Sequence, residues 1–242
     1  MMQTNWDARA ALNFMCGGAG AGLMIAAALL GLPGAAVVLA LALIGCGLGA
    51  VWLELGKPLR AAHVFFNPFT SWMARESLAA VLLFALGIAA FWLPQLVPAA
   101  AVAAAVFLWC QARMLHGGKG IPAWRARETV PLLVATGLAE GAGLALFFTG
   151  SALALALFAA AVMTRALFWA RHPLAPARGA FQRVGTLAAL ALAIAATAFP
   201  PAAWLAGAAA LATGWYLKFA LVTRASLKQG FALPRLPVRG TR

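Results

Sequence analysis

In a chain that is 64% hydrophobic and 10% charged, the residues able to do acid–base or hydrogen-bond chemistry are few. Asn13 lies one turn into the first apolar run and is followed by Gly17 and Gly18. Glu54 closes the second run, Arg75 and Glu76 open the third, Glu140 lies about halfway through the fifth, and Arg165 falls in the last turns of the sixth. Ionisable groups at membrane depth are costly, so each is read either as a functional group or as half of an ion pair. Glu54, Arg75, Glu76 and Arg165 lie near one interface, where snorkelling or pairing would also satisfy them. Glu140 is deeper, and a carboxylate there should be protonated or face a polar cavity.

Other chemistries are removed by residue type and spacing. A haem held between spans needs axial ligands, commonly His, from within them, and His63, His116 and His172 all fall in loops or at span ends. Cys16, Cys46 and Cys110 are far apart inside apolar runs, which leaves no disulfide framework, no metal site and no iron–sulfur cluster held by this chain alone. Gly17, Gly18, Gly20 and Gly22 follow no strand and lie inside an apolar helix, so they do not read as a phosphate-binding loop. The small-residue pairs Gly18/Gly22, Gly45/Gly49 and Gly137/Gly141 read instead as faces where helix backbones approach closely, with room left for a flat ligand.

The elements that must position these residues are membrane helices. Apolar runs give eight spans near 11–31, 34–54, 73–94, 97–115, 129–148, 151–170, 183–199 and 202–221. The fold class is an all-α integral membrane protein: residues 1–221 form one bundle of eight transmembrane helices, and 222–242 form a basic tail. Met1 to Asp7 lacks the basic n-region of a cleavable signal, and the run from Ala10 is long enough to span. Links after the odd spans are uncharged stubs. All 18 Lys and Arg residues lie on the opposite side, which puts both termini in the cytoplasm. That topology, with attraction to anionic lipid headgroups, accounts for the net charge of +13, and nucleic acid is not a partner.

Residues 54–76 link the second and third spans as a polar, aromatic, turn-rich interfacial hairpin that re-enters the membrane at Ser71-Trp72, a helix-start pattern. Leu55-Gly-Lys-Pro-Leu-Arg-Ala61 stands here, with Glu76 sixteen residues after Arg60. With Asn13-Phe14 and its glycines, Asn67 through Glu76, Ile121-Pro-Ala-Trp124, Lys218 to Arg224 and Gln229 to Pro234, this set resembles the membrane anchor family of DMSO reductase, within the polysulfide/nitrite-reductase-type anchor superfamily. The likeness runs from end to end and also extends to the anchors of cytoplasmic sulfite dehydrogenase and phenylacetyl-CoA:acceptor oxidoreductase.

The resemblance implies a haem-free, quinone-reactive anchor in a bacterial inner membrane, taking ubiquinone or menaquinone. It implies an iron–sulfur electron-transfer subunit as partner, and beyond it a catalytic subunit with a molybdenum or tungsten pterin. The positive loops place both at the cytoplasmic face. Glu76 maps onto the family's acidic residue at the quinol site and is the expected catalytic group. Asn13, Gly17, Gly18, Glu54 and His63 complete the expected quinone site. Glu54 stands where those anchors carry a His, and His63, nine residues on, is the candidate to take over that role. Glu140 and Arg165 are read as a proton path, and Lys57, Arg60, Trp124, Arg125, Lys228 and Phe231 as contacts to the partner subunit.

Two other classes compete. A secondary transporter would carry polar groups around a midplane site reached from both sides, whereas here polarity gathers at one interface and Glu140 alone lies deep. A purely structural anchor would leave Glu76 and Glu140 unexplained. The charge distribution makes a direct prediction. A cytoplasm-dependent reporter fused after Arg242 will be active, and activity from a periplasm-dependent reporter at that position would reverse the orientation.

Overall fold

A computed structural model describes residues 6–53, 58–118 and 120–227, without the side chains of 58–61, 176–178 and 227. Glu54, Lys57, Lys228 and Phe231 therefore lie outside the described residues, as does the side chain of Arg60. The described chain contains no strand. Its eight α-helices are α1 (Ala8–Leu30), α2 (Gly34–Trp52), α3 (Trp72–Ala89), α4 (Val97–His116), α5 (Thr129–Ala145), α6 (Ala152–Arg171), α7 (Ala175–Ala195) and α8 (Ala202–Phe219). By length and composition, six are able to cross a membrane: α1, α2, α3, α4 with its preceding turn from Pro94, α6, and α8 continued to Arg224. α5 and the Gly179–Ala195 part of α7 are shorter apolar helices. Backbone groups satisfied within each helix, with apolar side chains such as Val81, Leu82, Leu153, Met163, Val184 and Ile194 turned outward, suit hydrocarbon as the solvent. The chain is a multi-pass α-helical membrane protein.

Helix limits follow local chemistry. Asp7 caps α1 by accepting from the Arg9 and Ala10 N–H groups, and Gly31 ends it in the left-handed conformation, φ 60°. Ser71 caps α3 through the Ala74 N–H at 3.3 Å, so the Ser-Trp step is a helix start as expected. α7 begins at Ala175, eight residues before the expected span, because Pro176 suits a first turn and the basic residues there interrupt only hydropathy. α8 also runs past the expected limit, through a π-helical turn at Ala220–Arg224 and a 3-10 turn at Ala225–Leu227.

α1 is the central helix, with 72% of its apolar stretch buried against 33% for each of α2, α3 and α6. One apolar cluster joins α1 to α4, and a second joins α5 to α8. The two halves meet where α1 crosses α5. There Gly22 lies against Gly137 and Gly141, so the small-residue pairs expected on α1 and α5 face each other. The Gly45/Gly49 pair has no such role, since Gly49 faces open space.

These contacts generate a paired prediction. Gly141→Ala puts a methyl into the Gly22 backbone and will destabilise the bundle by about 1–3 kcal/mol, as overpacking does. Gly49→Ala meets nothing within 4 Å and will leave stability unchanged or raise it by up to about 1 kcal/mol. Thermal unfolding of the detergent-solubilised chain distinguishes the two.

Candidate functional site

One end of the bundle collects the starts of α1, α3 and α5 and the ends of α4, α6 and α8. The contacts that show this are Asn13 with Glu76, Gln111 with Asn13, Thr129 with His172, and Trp124 with Leu221. Here Glu76, one turn into α3, turns inward and is 2% exposed. The Asn13 side-chain amide donates to Glu76 Oε1 at 3.4 Å, and Gln111 Nε2 donates to the same oxygen at 3.3 Å. Gln111 Nε2 also lies 3.1 Å from the Asn13 carbonyl, which locks the three helices together. Asn13 packs on Gly47 of α2. Among the described residues no cation pairs with Glu76. Arg75, its neighbour, points about 100° round the helix. It donates to the carbonyls of Pro68 and Phe69 at 2.7 and 2.5 Å, with its guanidinium 4.3 Å over the Trp72 ring.

One further turn inside, the chain of polar groups continues. Gly17 and Gly18 shape a space, but side chains fill it: a methyl on Gly17 would meet Gln111 Nε2 and Phe107, and one on Gly18 would meet Lys218 Nζ. The room expected for a flat ligand is thus taken by the chain's own amide and ammonium. Lys218, expected at a span end, is 1% exposed and pairs with the fully buried Glu140 at 2.5 Å. Glu140 faces an ion-pair partner rather than a cavity, and it can sit there because Gly214 of α8 leaves space beside its carboxylate. Arg165, also buried, donates through Nη1 to the Ala210 carbonyl at 2.9 Å.

Other expected site residues are placed differently. His63 is exposed on the 3-10 turn Pro58–Phe66 and meets the Phe66 ring edge-on at 5.3 Å. Arg125 is exposed. Trp124 is not a surface contact: it is 1% exposed, donates to the Leu221 carbonyl at 2.8 Å and meets Trp6 edge-on. His172 caps the end of α6, stacked on Trp169. Its Nδ1 accepts from the Leu174 N–H, while the Thr129 hydroxyl donates to the Ala123 carbonyl, which assigns the ring proton to Nε2 and a bond to Thr129 Oγ1. Burial pushes this imidazole below its ordinary value, so His172 is a neutral structural hydrogen bonder.

Sequence reasoning passed over Gln111 and Lys218. The lone amide of the fourth apolar run was a usable signal for Gln111. Nothing local marks Lys218 as Glu140's partner, since the two are 78 positions apart. Among the described residues no group of three or more His, Cys, Asp or Glu could hold a metal ion. No protein-family model matches the chain, and neither does any curated protein sequence.

The buried pair sets up a double-mutant test. Lys218→Met leaves Glu140 buried without its partner and will cost about 3–5 kcal/mol, while adding Glu140→Leu will recover most of that loss. Unfolding of the single and double variants in the same detergent measures the difference.

Proposed function

We propose that the chain is the membrane anchor and quinone-reactive subunit of a molybdenum or tungsten iron–sulfur oxidoreductase in a bacterial inner membrane. In this reading all eight α-helices span the bilayer and both termini lie in the cytoplasm. An iron–sulfur subunit and a pterin catalytic subunit dock on that face. The basic loops and the sequence likeness to DMSO-reductase-type anchors support this layout. The complex, rather than this chain alone, is the enzyme.

The observation that carries the reading is the setting of Glu76. It is a buried carboxyl within a span, held by two neutral amides from two other helices, one turn below the end of the bundle that gathers the basic side chains. Glu140 is committed to a cation, and Glu76 is not. A quinone couple moves two electrons together with two protons, so its site needs a side chain that exchanges protons near one aqueous face while electrons pass to the docked partner. Glu76 fits that need. Asn13 and Gln111 fix its Oε1, and α3, the helix that bears it, packs against the interfacial turn Pro58–Phe66, where Phe66 is 76% exposed. The filled space at Gly17 and Gly18 does not fit a ring, so quinone approaches Glu76 from the interfacial side, where the Pro58–Phe66 turn carries His63. Glu140 and Arg165 form the inner end of the polar chain and hold helices together.

Glu76→Gln keeps the size and the amide contacts and removes the exchangeable carboxyl proton. The complex carrying it will assemble but reduce or oxidise quinone about a hundredfold to ten-thousandfold more slowly. Its reaction with a soluble dye that bypasses the membrane will be unaffected. Normal quinone turnover in an assembled variant would make Glu76 a structural residue and the chain a plain anchor.

A further inference from the structure

On the far side of the bundle from Glu76, α6 and α7 line an open cleft of about 570 Å³ that the quinone reading does not use. Its volume falls within the roughly 300–1,000 Å³ usual for ligand sites. Two faces line it: Arg165 and Trp169, one turn apart on α6, and Gln182, Arg183, Thr186 and Leu187 on α7.

The wall is rich in donors and has no acidic residue. Arg165 is 1% exposed and uses only Nη1, on the Ala210 carbonyl, which leaves Nε and Nη2 without partners. The Trp169 indole N–H is likewise buried and unpartnered. Gln182 is held by its donation to the Thr213 carbonyl at 2.7 Å. Arg183, exposed at the rim, adds a second guanidinium. Glu140, the carboxylate whose charge reaches Arg165, is already bonded to Lys218. Three buried donor nitrogens left without acceptors are expensive, and charge-assisted bonds to an oxyanion would satisfy them best.

We infer that this cleft binds the phosphate of an acidic phospholipid. Its surroundings identify the source of the anion. Leu187 at 68%, Val184 at 67% and Met163 at 61% exposure flank it on the outer faces of α6 and α7, where acyl chains lie. Arg183 stands at the end of the bundle where headgroups gather. A lipid enters such a site sideways, with its phosphate on Arg165, Trp169 and Arg183 and its tails along the apolar helix surface. A zwitterionic lipid offers the same phosphate but brings a quaternary ammonium beside Arg165 and Arg183, in a lining with no acidic residue to receive it, so at equal chain length it is disfavoured.

The full chain, with whatever subunits accompany it, is purified in detergent and titrated with phosphatidylglycerol or phosphatidylcholine of matched chains, with bound lipid read by native mass spectrometry. Phosphatidylglycerol is expected to be retained on the order of tenfold more strongly. Trp169→Phe, which keeps an aromatic ring and deletes the N–H, and Arg183→Gln, an exposed change that tests the site without disturbing the core, are each expected to lower that preference. Excess inorganic phosphate is expected to leave the lipid in place. Equal retention of both lipids would overturn the proposal, as would an undiminished preference in both variants. Displacement of phosphatidylglycerol by inorganic phosphate would assign the cleft to a free oxyanion and overturn the lipid assignment.

Discussion

The contact between Glu140 and Lys218 governs how three helices can meet. Either charge alone in hydrocarbon would be prohibitive, so α5 and α8 must keep the register that holds carboxylate against ammonium. That register exists only because two positions lack a side chain: Gly18 on α1 clears the ammonium, and Gly214 on α8 clears the carboxylate. Once α1 is drawn in to cover the pair, the glycine one turn on, Gly22, rests on Gly137 and Gly141 of α5, and the two halves of the bundle are joined. Asn13 and Gly17 lie a turn apart on the same side of α1. Both meet Gln111, which extends the linkage to α4 and, through Glu76, to α3.

Two buried carboxyls in one bundle thus have opposite settings. Glu140 is surrounded by cationic side chains, one bonded and one nearby, and its role is geometric. Glu76 has amides for company and sits close to the end of the bundle, where neighbouring Arg75 and Arg113 are occupied with the Trp72 ring. Cations so near could have neutralised Glu76. Instead Arg75 is drawn away by the carbonyls of Pro68 and Phe69, which keeps it from the inward-turned carboxyl.

Much of this architecture was legible from composition and spacing. Apolar length marked the helices, the Ser71-Trp72 step marked the start of α3, and two small-residue motifs marked the crossing of α1 and α5. The family resemblance groups Asn13 and Glu76 in one expected site, and a hydrogen bond joins them. What could not be read was pairing across the bundle. Lys218 near the end of an apolar run looks like a snorkelling residue, and only the π and 3-10 turns beyond it show that the helix continues and leaves it inside. The glycines of α1 were legible as space but not as space already taken, because that depends on side chains arriving from α4 and α8. Trp124, in a short loop, looked available to a partner, whereas its indole closes a bond within the chain.

That bond bears on the π turn at Ala220–Arg224. A π turn accommodates one more residue than an α turn, so everything after it is rotated by about 100° relative to an uninterrupted helix. Trp124 takes up the Leu221 carbonyl within this turn, where the ordinary ladder is broken. The direction the backbone takes through Ala225 and Ser226, both buried, is therefore tied to an indole from the loop before α5. Removing a single residue from the turn would re-aim the Ala225–Leu227 turn that follows without changing one of its residues.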